Sequence, residues 1–338
     1  MIEHTAKVQK IDICQIPPAL KPGDLLRVIA PSGALKEFEA FEKGVQIWRD
    51  RGYRVEIDPG VEDRWGYLAG IDENRRHQLK EAWLDPEVKG ILCARGGFGS
   101  TRILENWIWP FEDSEITGRG TRTEVLTTNV GSKDFSPFTQ RTKVLTTNKW
   151  LIGFSDVTAL LWSLFNHQIS GVHGPLLTTL ASEPDWSIQR LFDWVEGKPL
   201  QPLPGIGWCG GKATGILLPA NLTVATHLLG TPLLPELEGV ILAFEDVTEY
   251  PYRIDRVLTQ WRMCGAFEKI KGIALGRFSR CDAPAPSFTV EEVLRDRLRD
   301  LGIPIISELP FGHDGPNAAL PVGIEAHLDS DGGILSFG

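Results

Sequence analysis

The feature that most constrains this chain is a repeated exchange, through its first half, between short apolar runs and longer amphipathic stretches. LLRVIAPSG (25–33) reads as a buried strand ending in turn residues, and EFEAFEKGVQIWRDRGY (37–53) as an amphipathic helix stopped at Gly52. The pattern recurs as strand YRVEIDPG, helix ENRRHQLKEAWLDP, strand VKGILCARGG, helix STRILENW, strand KWLIGFS and helix DVTALLWSLFNHQ. Alternation of this kind predicts a mostly parallel sheet with helices on both faces. Ligands of such sheets sit at the carboxyl ends of the strands, which here carry Ser32, the Gly96-Gly97-Phe98-Gly99 loop and Ser155.

Two stretches interrupt the alternation. Residues 110–148 are polar, lack a helical or strand period and repeat VLTTN at 125–129 and 144–148; they read as a surface excursion, either a long loop with a small hairpin or a lid. The segment around 181–212 turns to Pro, Gly and Trp and suits a linker. Beyond it come strand GVILAFED, helix IDRVLTQWRMCGAFE, strand KGIALGRF, helix VEEVLRDRLRDL, short strand IPIISELPFG and a Pro-bounded tail. With 338 residues and 42% hydrophobic content the chain can build two cores. The expected organisation is an N-terminal α/β domain over 1–185, a linker over 186–212 and a C-terminal α/β domain over 213–338.

Charge and cysteine usage narrow the function. A formal charge of −9 without a basic cluster argues against nucleic acid and against an anionic membrane surface. The five cysteines are scattered and contain no C-x-x-C pair, so neither a disulfide framework nor a structural zinc site is expected. The seven histidines include no H-E-x-x-H, which leaves a zinc hydrolase poorly supported, and no metal or organic cofactor is expected. There is no apolar leader in the N-terminal sequence and no run of about 18 apolar residues, from which a cytoplasmic location is expected.

Several residues could carry chemistry. Ser155 stands where an apolar strand ends and a helix begins, a turn that exposes a hydroxyl and points free helix N–H groups at a developing oxyanion; the same position suits a helix N-cap. Val157 replaces the second glycine of G-x-S-x-G. The loop ARGGFGSTR (94–102) could supply amide donors or be a tight turn alone, and it does not fit the dinucleotide fingerprint, which disfavours a nicotinamide oxidoreductase. Glu245 ends the apolar run GVILAFED and is either the partner of a base or a cap. Asp255 and Arg256 read as a salt-bridged helix face. His313 lies in a Gly/Pro-rich segment without periodic structure, where histidines are often functional, whereas His173 in SGVHGP is a rival base that more often shapes a turn or touches substrate.

In order along the chain, APSG (30–33), ARGGFGS (94–100), GFSDVTAL (153–160), HGP (173–175), FEDVTEYPYRIDRVLTQ (244–260) and GHDGPNAALPVG (312–323) resemble the LD-carboxypeptidase family, which includes muramoyltetrapeptide carboxypeptidases and microcin-resistance hydrolases. The resemblance implies a flavodoxin-like parallel-sheet N-terminal domain, a smaller C-terminal α/β domain of the swivelling type, and a site between them. It further implies a Ser-His-Glu triad of Ser155, His313 and Glu245, with an oxyanion hole at the Gly97 and Asp156 amides. A muropeptide or small-peptide substrate cut at an L,D-bond, and a homodimer, follow from the same likeness. Arg95 and Arg75 are candidates for the substrate carboxylate, with His173 and Asn221 as further substrate contacts. Two departures stand out: the 110–148 insertion, and Pro219-Ala220 where the family usually has a glycine pair before the asparagine. A nucleotide-conjugate hydrolase and a non-catalytic peptide-binding module are the rival readings.

Overall fold

The computed structural model describes residues 13–111, 148–284 and 286–338. Most of the 110–148 excursion, with both VLTTN copies nearly entire, lies outside the described residues.

The first lobe runs β1 (Leu25–Ile29), α1 (Phe38–Asp50), β2 (Arg54–Ile57), α2 (Asp72–Leu84), β3 (Val88–Cys93), α3 (Ser100–Ile103), β4 (Trp150–Gly153), α4 (Thr158–Phe165), β5 (Val172–His173), α5 (Leu177–Leu180) and α6 (Asp185–Val195). Its parallel strands lie in the order β2-β1-β3-β4-β5, the flavodoxin-like winding. Strands β3 and β4 are apolar almost without interruption because helices cover both faces. On one face α1 buries Phe41, Val45 and Trp48, a helical stripe, and Gly44 lets its backbone close on α5, since a Cβ there would stand 2.0 Å from the Leu177 carbonyl oxygen. On the other face lie α2 and α4.

The second lobe contains β6 (Leu203–Pro204), β7 (Ile206–Cys209), β8 (Lys212–Asn221), α7 (Leu222–Leu228), β9 (Val240–Val247), α8 (Pro251–Met263), β10 (Gly272–Ser279), α9 (Val290–Leu298), β11 (Ile305–Ser307), β12 (Leu320–Pro321), β13 (Glu325–Asp329) and β14 (Ile334–Phe337). Parallel β8-β9-β10-β11 form its centre, and antiparallel strands flank them in the order β6-β14-β13 on one side and β7 on the other. One apolar cluster continues from the first sheet through α4 into α7, α8 and α9, so the lobes share a core. Trp162 of α4 also donates its indole N–H to the Pro219 carbonyl of β8 at 3.0 Å.

Three expectations differ from the structure. The segment 186–212 is not a bare linker: it holds most of α6 and strands β6 and β7, because Leu191, Phe192 and Val195 form an apolar face packed with Trp48 and Tyr53. The helix expected over STRILENW is a single turn that gives way to Asn106 at φ +56°. The Pro-bounded tail is structured: β13 and β14 pair, and β12 crosses to the first sheet, where Leu320 pairs with His173. Among the described residues no helix is long and apolar enough to cross a membrane.

Candidate active site

The chain leaves β4 at Gly153 and reaches Ser155 at φ +62°, a left-handed conformation that costs a non-glycine residue about 1–2 kcal/mol. A 3-10 turn over Ser155–Val157 then runs into α4. The N-cap of that turn is Phe154, and the serine hydroxyl makes no capping bond; Ser155 Oγ instead stands 3.3 Å from His313 Nε2. Backbone strain here turns the part-buried hydroxyl toward the imidazole rather than into a helix cap.

The other His313 nitrogen, Nδ1, is 2.6 Å from Glu245 Oε2. Glu245 is fully buried near the carboxyl end of β9, in register with Asn221 at the end of β8. Parallel pairing therefore brings Asn221 Nδ2 to Glu245 Oε1 at 3.2 Å, while Asn221 Oδ1 accepts the Val224 N–H and caps α7. Asp246 turns to Asn221 Nδ2 and to the N–H and hydroxyl of Thr223; burial and the neighbouring Glu245 charge push its carboxyl up to about 6. The Phe154 ring lies 4.6 Å from the His313 ring, centroid to centroid, and walls one side of the imidazole.

The glycine loop lies against the serine. A Cβ on Gly96 would meet Ser155 Oγ at 3.2 Å, and Gly97 takes φ +113° against Gly33, so side chains at these positions would crowd the hydroxyl or strain the turn. Asp156 fastens this loop to the serine turn: its Oδ2 accepts the Ser100 N–H at 2.8 Å, and its carbonyl accepts the Ser100 hydroxyl. The Asp156 N–H, in the first turn of a helix, has no intrahelical acceptor.

The remaining candidates separate. Arg75 does not face a ligand: it is fully buried, and its guanidinium donates to the carbonyls of Pro31 and Gly99 and pairs with Asp72, so it braces the glycine loop from behind. Asn221 is likewise buried and spent on Glu245, Asp246 and α7. His173 is fully buried, packed edge-on to Phe154 and Phe311, and among the described residues neither of its nitrogens has a hydrogen-bond partner; burial pulls it down to about 4 and keeps it neutral. Arg95 remains part-exposed, its Nη1 donating to the Ala34 carbonyl at 2.9 Å beside Gly33. Asp255 pairs with Arg297, on α8 and outside this cluster.

Next to the glycine loop, exposed Phe98 stacks obliquely on exposed Tyr67, and a groove of about 720 Å³ runs from Phe98 past Thr101 and Trp107 to His227 and Thr231. Among the described residues no group of three His, Cys, Asp or Glu could hold a metal ion. The supporting roles of Asp156, Asn221 and Arg75 escape a reading of sequence, because each depends on which strand ends become neighbours. A serine, an imidazole and a carboxylate linked in this order can pass a proton from hydroxyl to ring while the carboxylate holds the ring's far N–H, the arrangement nucleophilic acyl transfer requires.

Two family models match the chain: the LD-carboxypeptidase N-terminal domain over residues 26–115 and the LD-carboxypeptidase C-terminal domain over 214–328. A Synechocystis sp. protein provisionally named a carboxypeptidase is 53% identical over 323 residues, covering 95% of this chain and 96% of its own. The murein tetrapeptide carboxypeptidase of Pseudomonas aeruginosa is 27% identical, covering 90% and 92%. Among solved structures, the muramoyltetrapeptide carboxypeptidase of Oxalobacter formigenes superposes with TM-score 0.71 at 27% identity, covering 92% and 97%. The structure of MccF in complex with glutamyl sulfamoyl guanosine shares the fold at TM-score 0.77 and 19% identity, covering 95% and 97%.

Proposed function

Since the chain belongs to the LD-carboxypeptidase family and is a serine peptidase of that type, we propose that it removes the terminal D-alanine from muropeptide tetrapeptides by cutting the L,D-bond. The contiguous Ser155–His313–Glu245 chain of contacts carries this reading. His313 Nε2 takes the Ser155 proton as Oγ attacks the scissile carbonyl, and buried Glu245 holds the Nδ1–H tautomer and stabilises the imidazolium. The amides of Gly97 and Asp156 are the proposed donors to the tetrahedral oxyanion, a role supported by the closeness of Gly96 to Ser155, where a Cβ would stand 3.2 Å from the hydroxyl, and by the place of Asp156 in a first helical turn, whose N–H groups have no intrahelical acceptor. His313 returns its proton to the leaving amine of D-alanine, and water, activated by the same base, then hydrolyses the acyl-enzyme. Arg95 is the proposed partner of the substrate carboxylate, being a part-exposed cation beside the glycine loop whose ion pair with Glu37, at 3.4 Å, lies at the surface. Peptidoglycan recycling in the cytoplasm, by a homodimer, completes the proposal.

The test is incubation of wild type and Ser155→Ala with a free or disaccharide-linked tetrapeptide ending in an L-diamino acid and D-alanine, with chelator present. Release of D-alanine by wild type alone is the expected result; equal release by both proteins would remove Ser155 from the mechanism. A second reading, hydrolysis of a peptidyl- or aminoacyl-nucleotide conjugate, is favoured by the exposed Tyr67–Phe98 pair beside the loop, a surface suited to stacking a base. Cleavage of such a conjugate without release of D-alanine from the tetrapeptide would select it.

A further inference from the structure

The loop that carries His313, residues 309–319, has no regular secondary structure, yet its carbonyl groups converge on a single side chain. Arg277, near the end of β10, donates from Nε to the His313 carbonyl and from Nη2 to the Gly312 carbonyl, each at 3.0 Å, and also reaches the Pro316 carbonyl. Its own backbone N–H donates to the Phe311 carbonyl at 2.9 Å. Ser279 Oγ adds a second donor to the His313 oxygen at 2.5 Å. The far end of the loop is tied by Asn317, whose Oδ1 accepts the Gly312 N–H at 2.9 Å and whose N–H donates to Glu183 Oε2 of the first lobe at 2.8 Å.

Converging carbonyl dipoles repel one another, and only a multidentate donor of fixed shape can hold several at once. A guanidinium does this with its planar fork; an ammonium cannot span the same set. The packing around Arg277 fits such a role. A Cβ at Gly315 would come within 2.9 Å of the guanidinium carbon, and one at Gly312 within 3.0 Å of Glu245 Cβ, so the loop lies flat between the arginine and the buried carboxylate.

We propose that Arg277 is a positioning residue for the base: by clamping the carbonyls of Gly312, His313 and Pro316 it places the imidazole between Glu245 and Ser155. It touches no reacting atom. The proposal rests on the reading of His313 as the base that activates Ser155.

The rate at which a fluorophosphonate captures Ser155 measures the serine–histidine pair without reference to any substrate. Wild type is expected to label at Ser155, and Arg277→Ala to label about 10²-fold more slowly, the scale of loss for displacement of a catalytic group by about 1 Å. Millimolar guanidinium, filling the space left by the side chain, is expected to restore part of the rate to Arg277→Ala and none to His313→Ala. A slow variant that guanidinium does not rescue, or a variant that labels at the wild-type rate, overturns the proposal. Should Arg277→Ala not fold, Arg277→Lys serves in its place: a wild-type labelling rate overturns the clamp, and a clear fall in a folded protein supports it, since charge is kept and only the fork is lost. An unlabelled Ser155 in wild type removes the triad reading and this proposal together.

Discussion

His313 Nδ1 and Glu245 Oε2 stand 2.6 Å apart across 68 positions of sequence, the carboxylate fully buried and the ring part-exposed. A contact this short, with the acid shielded from water, makes Glu245 the group that decides which ring nitrogen carries the proton.

Glu245→Gln keeps the shape and removes the charge. The expected result is a fall in kcat of about 10⁴, with KM near that of wild type, the scale seen when the orienting acid of a serine triad is replaced by its amide. Steady-state release of D-alanine measures it; a variant retaining a tenth or more of the activity would show that the carboxylate is dispensable.

The left-handed backbone at Ser155 yields a stability signature separate from catalysis. Ser155→Ala keeps the strained φ, whereas Ser155→Gly relieves about 1–2 kcal/mol and returns about 0.5–1 kcal/mol to the freer unfolded chain. Both variants should be inactive, with the glycine form the more stable by about 0.5–1 kcal/mol in urea unfolding. Equal midpoints at equal slopes would mean the turn relaxes without cost.

His173 ties stability to acid. Its folded form takes up a proton only near pH 4, the unfolded chain already near 6.5, so between these values the unfolded state binds more protons and stability falls as pH drops. The loss amounts to about 3 kcal/mol by pH 4. Asp246, raised to about 6, works in the opposite sense over its own window, because there the folded state is the one holding the proton. The difference in unfolding free energy between His173→Phe and wild type isolates the histidine: it should move in the variant's favour by about 3 kcal/mol between pH 7.5 and pH 4. A difference that stays constant with pH would mean the ring takes up its proton as readily in the fold as in the unfolded chain.

Arg75→Met should act on stability rather than on substrate affinity. Removing the guanidinium strands the Pro31 and Gly99 carbonyls in a buried setting and costs about 3–5 kcal/mol. Urea unfolding reads the loss, and KM of the folded fraction is expected to stay near wild type. A raised KM with unchanged stability would restore Arg75 as a substrate contact.

The parallel first sheet was legible because strands buried on both faces write continuous apolar runs such as VKGILC, and the helices between them carry a clear period. Helix α6 was not, since its flanking Pro, Gly and Trp residues outweigh the short Leu191, Phe192, Val195 stripe. Ser155, Glu245 and His313 could be picked out by residue type at a strand end or in a Gly-rich loop, but spacing says nothing about their meeting, which depends on how two sheets share one core. Arg75 and Asn221 read in sequence as substrate contacts because exposure is invisible there. Burial and strand register assign them to the scaffold instead.

Strand β12 gives the molecule a timetable. The sixth strand of the first sheet is Leu320–Pro321, which lies against β5 only after nearly every residue of the second lobe has been made. During synthesis the edge of β5 around His173 therefore stays open long after the serine turn has emerged. The segment that finally covers it follows directly on the His313 loop. The hydroxyl and the imidazole are thus brought together only after the second lobe has been made, and a nascent chain that stops short of it holds no assembled peptidase.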